Sequence, residues 1–212
     1  MIELALPDRK LTVLCVGAHP DDIEIGCGAT LLTLATNHSV NVRAVIMTGD
    51  GDRRDEALHA FPAFCPGADV DIDVCGLPDG RLPAHWDATK QALEDAATGD
   101  RPDLILAPRH DDAHQDHRLL ADLVPTVWRN TLILGYEIPK WDGDLGKVTH
   151  YVPVLPDNAR RKVELLDHCF PSQRDRDWWT AETFLGLMRM RGIECRHHFA
   201  EGFVVKKALL AV

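Results

Sequence analysis

The chain alternates between short apolar runs and longer stretches in which apolar residues recur every three or four positions. Leu11–Gly17 (LTVLCVG) is a continuous, β-rich apolar run, the pattern of a strand buried on both faces of a parallel sheet. From Asp22 to Thr36, the residues Ile25, Ala29, Leu32 and Ala35 follow at spacings of four and three, with acids in the first turn where the helix dipole favours them. The alternation continues with a strand over Val40–Met47, a helix over Arg53–Phe64, a strand over Val70–Cys75 and a helix over Trp86–Ala97. A strand over Leu104–Ala107, a helix from about His114 to Trp128 and a strand over Thr131–Ile138 complete it. Strands joined by single helices need right-handed crossovers. The expected fold is therefore α/β, a Rossmann-like doubly wound and mostly parallel sheet with helices on both faces, that is, a three-layer sandwich.

Beyond Ile138 the pattern loosens. A turn-rich stretch, Trp141 to Gly146, precedes a short strand near Tyr151, helices from about Asn158 and Thr180, and a last strand over Phe199–Val205. No repeat, low-complexity tract or flexible linker interrupts the chain, so residues 1–212 are expected to form one domain.

Composition narrows the partners. The 212 residues include 33 acidic and 23 basic side chains, a formal charge of -10, and no long basic block, which argues against nucleic acid or an anionic membrane. Six scattered cysteines without a CxxC pair suit reduced thiols in a cytoplasmic protein. Glu3, Asp8, Arg9 and Lys10 interrupt the N-terminal stretch, which lacks the apolar core of a secretory signal, and no run approaches the roughly 20 apolar residues of a membrane span.

Two polar clusters carry the candidate chemistry. Ala18-His19-Pro20-Asp21-Asp22-Ile23-Glu24 follows the first strand, and Asp112-Ala113-His114-Gln115-Asp116-His117 follows the fourth. Both therefore fall at the carboxyl edge of the expected sheet, where open α/β folds bind ligands. Two imidazoles and one carboxylate around a divalent cation, with one position left open, is the arrangement of a hydrolytic zinc site. Amide hydrolysis also needs a base for the water proton and a donor for the leaving amine, and Asp21 and His114 are the candidates. Spacing alone does not choose between Asp21 and Asp22 as ligand.

The string AHPDDIE and the later HQDH resemble the paired signatures of the PIG-L / LmbE family of zinc-dependent N-acetylglucosamine-type deacetylases. Met47-Thr48-Gly49-Asp50-Gly51 with Arg53 and Glu56, Leu77 to Leu82, Ser172-Gln173 and Phe199 to Phe203 are family-like as well. The resemblance implies metal ligands His19, Asp22 and His117, with Asp21 as general base. It gives His114 the task of protonating the leaving amine or stabilising the oxyanion, Asp116 that of holding the His114 ring, and Arg53 a contact to substrate. Where some relatives carry a tyrosine two residues before the first histidine of the second motif, this chain has Asp112. The implied cofactor is Zn2+, and Fe2+ suits the same ligands in a reducing cytosol. The implied reaction is removal of an N-acetyl group from a small amino-sugar substrate or its conjugate, or of a larger acyl group by the same centre. The alternative is a binding module that keeps the metal for structure. Homo-oligomer formation stays open.

Other features have simpler readings. Asp21 or Asp22 could merely cap a helix. Gly26-Cys27-Gly28 lacks a third glycine and lies within a helix, so it is no dinucleotide loop. Trp141, Trp178 and Trp179 could stack on sugar faces and Arg174 and Arg176 could meet an anion, but packing and solvated charge account for each. His110, Asp111, His168, His197 and His198 are expected to be core or surface residues, with His168 near the cleft.

Overall fold

A computed structural model describes residues 1–209. Seven strands form one sheet: β1 (Leu11–Gly17), β2 (Val40–Thr48), β3 (Asp69–Leu77), β4 (Leu104–Pro108), β5 (Leu132–Tyr136), β6 (His150–Val154) and β7 (Phe199–Val204). The helices are α1 (Asp22–Asn37), α2 (Gly51–Phe64), α3 (Trp86–Ala96), α4 (Gln115–Val127), α5 (Pro156–Cys169) and α6 (Ala181–Cys195). Strand order is β3-β2-β1-β4-β5-β7-β6, with the first five parallel and β7 antiparallel to both β5 and β6. The mostly parallel α/β architecture expected from the sequence is present. Short 3-10 turns at Leu82–His85 and Pro171–Gln173 carry no periodic pattern and were not expected.

The unbroken apolar character of β1 follows from its central place, because its residues feed two cores. Leu11, Val13 and Cys15 pack beneath α1, α2 and α5, whereas Leu14 and Val16 pack against Leu93 of α3 and Leu120, Leu123 and Val124 of α4. The period of two along one strand thus separates the layers. β3, at one edge, exposes Asp69, Asp71 and Asp73 in alternation, a charged rim that discourages pairing with another sheet.

α1 is broken in its middle. Cys27 takes φ -146° and ψ 20°, which interrupts the helical ladder. The glycines on either side allow close packing there, since a Cβ on Gly26 would lie 2.3 Å from Tyr136 and one on Gly28 would lie 2.7 Å from Phe64. The break frees backbone groups inside the protein, where they need partners. Glu201 of β7 accepts from the Ala29 and Thr30 amides at 3.1 and 2.7 Å, and Lys162 of α5 donates to the Ile25 carbonyl at 2.5 Å and to Glu201 at 2.6 Å. One buried ion pair therefore caps both halves of the helix.

Removing one member leaves the other charged and buried, at a cost of about 3–5 kcal/mol. Chemical denaturation of Glu201→Gln and Lys162→Met should show losses of this order, with part recovered in the double variant. Single variants as stable as the parent would refute the capping role.

Candidate metal centre

β1 and β4 are neighbours, yet the helices that follow them pack on opposite faces of the sheet. Their carboxyl ends are the switch point of a doubly wound sheet, where such folds leave a crevice for ligands. Both polar clusters meet there.

The first cluster forms the turn from β1 into α1. Thr48 holds the Ala18 carbonyl through its amide at 3.0 Å and its hydroxyl at 2.8 Å. Gly49, with φ 116°, leaves room for Pro20, whose Cγ would lie 2.8 Å from any Cβ. Asp21 adopts φ 108°, a left-handed conformation that costs a non-glycine residue about 1–3 kcal/mol. Its side chain makes no cap bond to α1 and accepts from Arg53 Nη2 at 3.0 Å. Asp22 braces the turn instead, its Oδ2 accepting from the Ala18 and His19 amides at 2.9 and 2.8 Å. Simple helix capping thus describes neither carboxylate.

His19 Nδ1, His117 Nε2 and Asp22 Oδ2 form a triangle. The His19–His117 and His117–Asp22 edges are each 3.2 Å, and the His19–Asp22 edge is 3.4 Å. Donors about 2.0–2.1 Å from a tetrahedral divalent ion stand about 3.3–3.4 Å apart, so the triangle has the size of one face of such a site. Charge agrees with geometry. Burial opposes ionisation of all three groups, but Asp22 raises both imidazoles, and the two imidazoles hold Asp22 well below the usual carboxylate range. Two ring nitrogens 3.2 Å apart cannot both carry a hydrogen. At most one of these two nitrogens can therefore carry a proton, and a donor set of two imidazole nitrogens and a carboxylate oxygen fits a divalent cation.

Two looser groupings overlap this one. His114 with His19 and His117, and Asp79 with Asp116 and His19, each offer ligand atoms within 4.8 Å of one another. The Asp22 triangle is tighter, and His114 and Asp116 are engaged elsewhere. His114 Nδ1 accepts from the Asp116 amide at 3.2 Å as the N-cap of α4, so the hydrogen of the neutral ring sits on Nε2. Burial, with the facing His117 and His19, lowers the His114 pKa, which favours that neutral ring.

Asp116 does not hold the His114 ring with its carboxylate as expected. The carboxylate accepts from the Gly80 and Leu82 amides at 2.8 and 3.1 Å and lies 3.3 Å from His19 Nε2, so its orienting contact is to His19. The first turn of α4 points it across the crevice, leaving only its amide near His114. Asp79, 3.0 Å from His19 Nε2, shares this task. Asp112 meets His117 instead, accepting from Nδ1 at 3.0 Å while Lys140 Nζ lies 3.0 Å from its carboxylate. The sequence reading assigned Asp79, Asp112 and Lys140 no role. A conspicuous carboxylate in a tyrosine's place was the available signal for Asp112, and nothing local marked Lys140.

Arg53 is paired with Asp21 and the Pro20 carbonyl and remains partly exposed. Glu56 lies 3.8 Å from Arg53 and binds Ser172 through its amide and hydroxyl at 2.8 and 2.6 Å, which links the family-like segments. Gln173 then accepts from Arg176, whose guanidinium lies 5.6 Å from the exposed Trp141 ring. Trp178 and Trp179 pack with Phe184, so packing accounts for both, while Arg174 is held in an exposed ion pair with Asp167 on α5. His168 shares an outer groove with His59, Asp52 and Asp55, beside Ser172.

The family model described as PIG-L, GlcNAc-PI de-N-acetylase, matches residues 14–128, which hold both clusters. "Uncharacterized deacetylase YaiS" of Escherichia coli (strain K12) is 34% identical over 149 residues, covering 64% of this chain and 78% of that protein. N,N'-diacetylchitobiose deacetylase from Pyrococcus horikoshii superposes with a TM-score of 0.67 at 22% identity, over 92% of this chain and 83% of that one. The 4-carboxy-2-hydroxymuconate hydratase of Pseudomonas putida KT2440 superposes with a TM-score of 0.70 at 14% identity, over 95% and 98%. A deacetylase and a hydratase thus share the architecture, and the reaction has to be argued from the site.

Glu24, fully buried beneath the turn, finds no hydrogen-bond partner for either oxygen on another of the described residues. Burial, reinforced by the Asp21 and Asp22 charges, raises its carboxyl to about 8. A carboxyl raised on folding contributes stability that is whole below its ordinary value near 4.5 and is lost as pH rises through about 8. In metal-free protein, Glu24→Gln should therefore gain thermal stability relative to the parent between pH 5 and pH 9. A pH-independent difference between the two melting temperatures would contradict this assignment.

Proposed function

Since this chain belongs to the PIG-L family, a family of deacetylases, we propose that it is a metal-dependent N-deacetylase of an acetylated amino sugar or its conjugate. The observation that carries the reading is the triangle of His19, Asp22 and His117, with Asp21 and His114 beside it and outside the donor set. The three residues of the triangle would hold Zn2+, with Fe2+ suited to the same donors. A divalent cation there supplies a Lewis acid for the acyl oxygen and lowers the pKa of water.

The remaining steps belong to side chains of this protein. Asp21 takes a proton from the attacking water. Burial raises its carboxyl to about 7 although Arg53 opposes the shift, which matches a base working near neutrality. His114, a neutral ring with its hydrogen on Nε2, donates to the oxyanion as the carbonyl carbon becomes tetrahedral. The C–N bond then breaks, Asp21 returns its proton to the amine, and acetate and the free amino sugar leave. Of the two tasks open to His114, its hydrogen-bonded tautomer favours the oxyanion. Arg53 keeps Asp21 aimed inward and offers its exposed edge to substrate.

The substrate is expected to be a small molecule. No helix among the described residues is long and apolar enough to cross a membrane. The six cysteines are free, which suits a reducing cytoplasm.

Acetate release from a panel of N-acetyl sugars, nucleotide sugars and thiol-glycosides, with metal content measured alongside, tests the reading. Asp21→Ala should keep its metal and lose activity by about 10²–10⁴-fold, and His117→Ala should lose the metal. Silence across the panel in metal-loaded protein would sink the deacetylase assignment. Loss of metal and fold together in Asp21→Ala would favour a structural metal.

A further inference from the structure

The loop after β5 carries a lysine whose burial the reaction does not explain. Lys140 is only 9% exposed, and its ammonium lies 3.0 Å from Asp112 and 2.6 Å from Asp144. A lysine is placed this way only where fixed carboxylates compensate its lost hydration. Both partners touch the segment that leads into the second motif. Asp112 accepts from His117 Nδ1 at 3.0 Å and from the His114 amide at 2.8 Å, and Asp144 accepts from the Ala113 amide at 2.7 Å.

We propose that Lys140 is a positioning residue of the metal centre, acting through Asp112 on His117. This rests on the reading of His117 as a ligand. For Nε2 of His117 to present its lone pair to the triangle, the ring hydrogen must sit on Nδ1, and an acceptor must hold it there. Asp112 is that acceptor. A carboxylate so deeply buried, with a single imidazole to face, would have nothing else to fix its orientation. Lys140 neutralises it and, with the His114 amide, fixes the plane in which it meets His117. Asp144 keeps the ammonium in place and ties the loop to Ala113. The arrangement spans 28 residues of sequence, so the loop after β5 belongs to the centre although it contributes no ligand.

Zn2+ affinity, measured by competition with a chromophoric chelator, tests this without any substrate, and the visible spectrum of bound Co2+ reports the ligand geometry. Lys140→Met should bind Zn2+ about 10- to 100-fold more weakly and shift the Co2+ spectrum. Lys140→Arg should recover most of the affinity. Asp112→Asn should be weakened comparably, and the double variant should be no worse than Asp112→Asn alone, since both substitutions break one chain of contacts. Circular dichroism of the metal-free proteins monitors folding, and Lys140→Gln replaces the methionine variant should that one not fold. Parent-like Zn2+ affinity in Lys140→Met, or additive losses in the double variant, overturns the inference while leaving the metal centre intact. A parent protein that binds neither Zn2+ nor Co2+ overturns the ligand reading and this inference with it.

Discussion

Three donor atoms from distant parts of the chain are held closer together than uncompensated lone pairs tolerate. His19 Nδ1, Asp22 Oδ2 and His117 Nε2 stand 3.2–3.4 Å apart in a buried crevice, with Asp21, Asp112 and Asp116 also buried close by. Such crowding would expand or protonate away if the side chains were free to move. It persists because each donor is held from behind. Backbone amides hold Asp22, Asp112 holds His117, and Asp79 and Asp116 hold His19.

The sheet supplies the outer constraint. Adjacent parallel strands end side by side, and because α1 and α4 leave them on opposite faces, neither helix covers the gap. The strained turn at Asp21 and the close approach of Gly49 to Pro20 use the last residues before α1 to turn two carboxylates in different directions. Asp22 faces the triangle and Asp21 faces Arg53, so neighbours in sequence enter different electrostatic surroundings. Asp22 is driven below the usual carboxylate range while Asp21 is raised. Two identical side chains acquire different chemistry from one peptide unit of separation.

Much of this was legible in the sequence because it is local. The apolar run Leu11–Gly17 marked a two-faced strand, and the two motifs marked the ends of β1 and β4. What escaped reading depends on contacts between distant residues. Motif adjacency pairs Asp116 with His114, whereas its carboxylate reaches His19, 97 positions away. Lys140 has no periodic or motif signal and gains meaning only when its loop folds back onto Asp112. The break at Cys27 was likewise hidden, because the apolar spacing of α1 runs through it and the reason for it lies in Tyr136, Phe64, Lys162 and Glu201. Periodicity records which face is buried and is silent about what it is buried against.

The broken helix has a consequence for how the protein is made. Glu201 caps amides lying 171 and 172 residues earlier, so α1 cannot be completed until β7 has been made. During synthesis the segment carrying Asp22 emerges early, with the Ala29 and Thr30 amides unpaired until β7 arrives to close the sheet beside β5. Assembly of the candidate centre thereby waits for β7. A chain stopped before β7 would carry both motifs and still lack the last clasp on the helix that orients one of them.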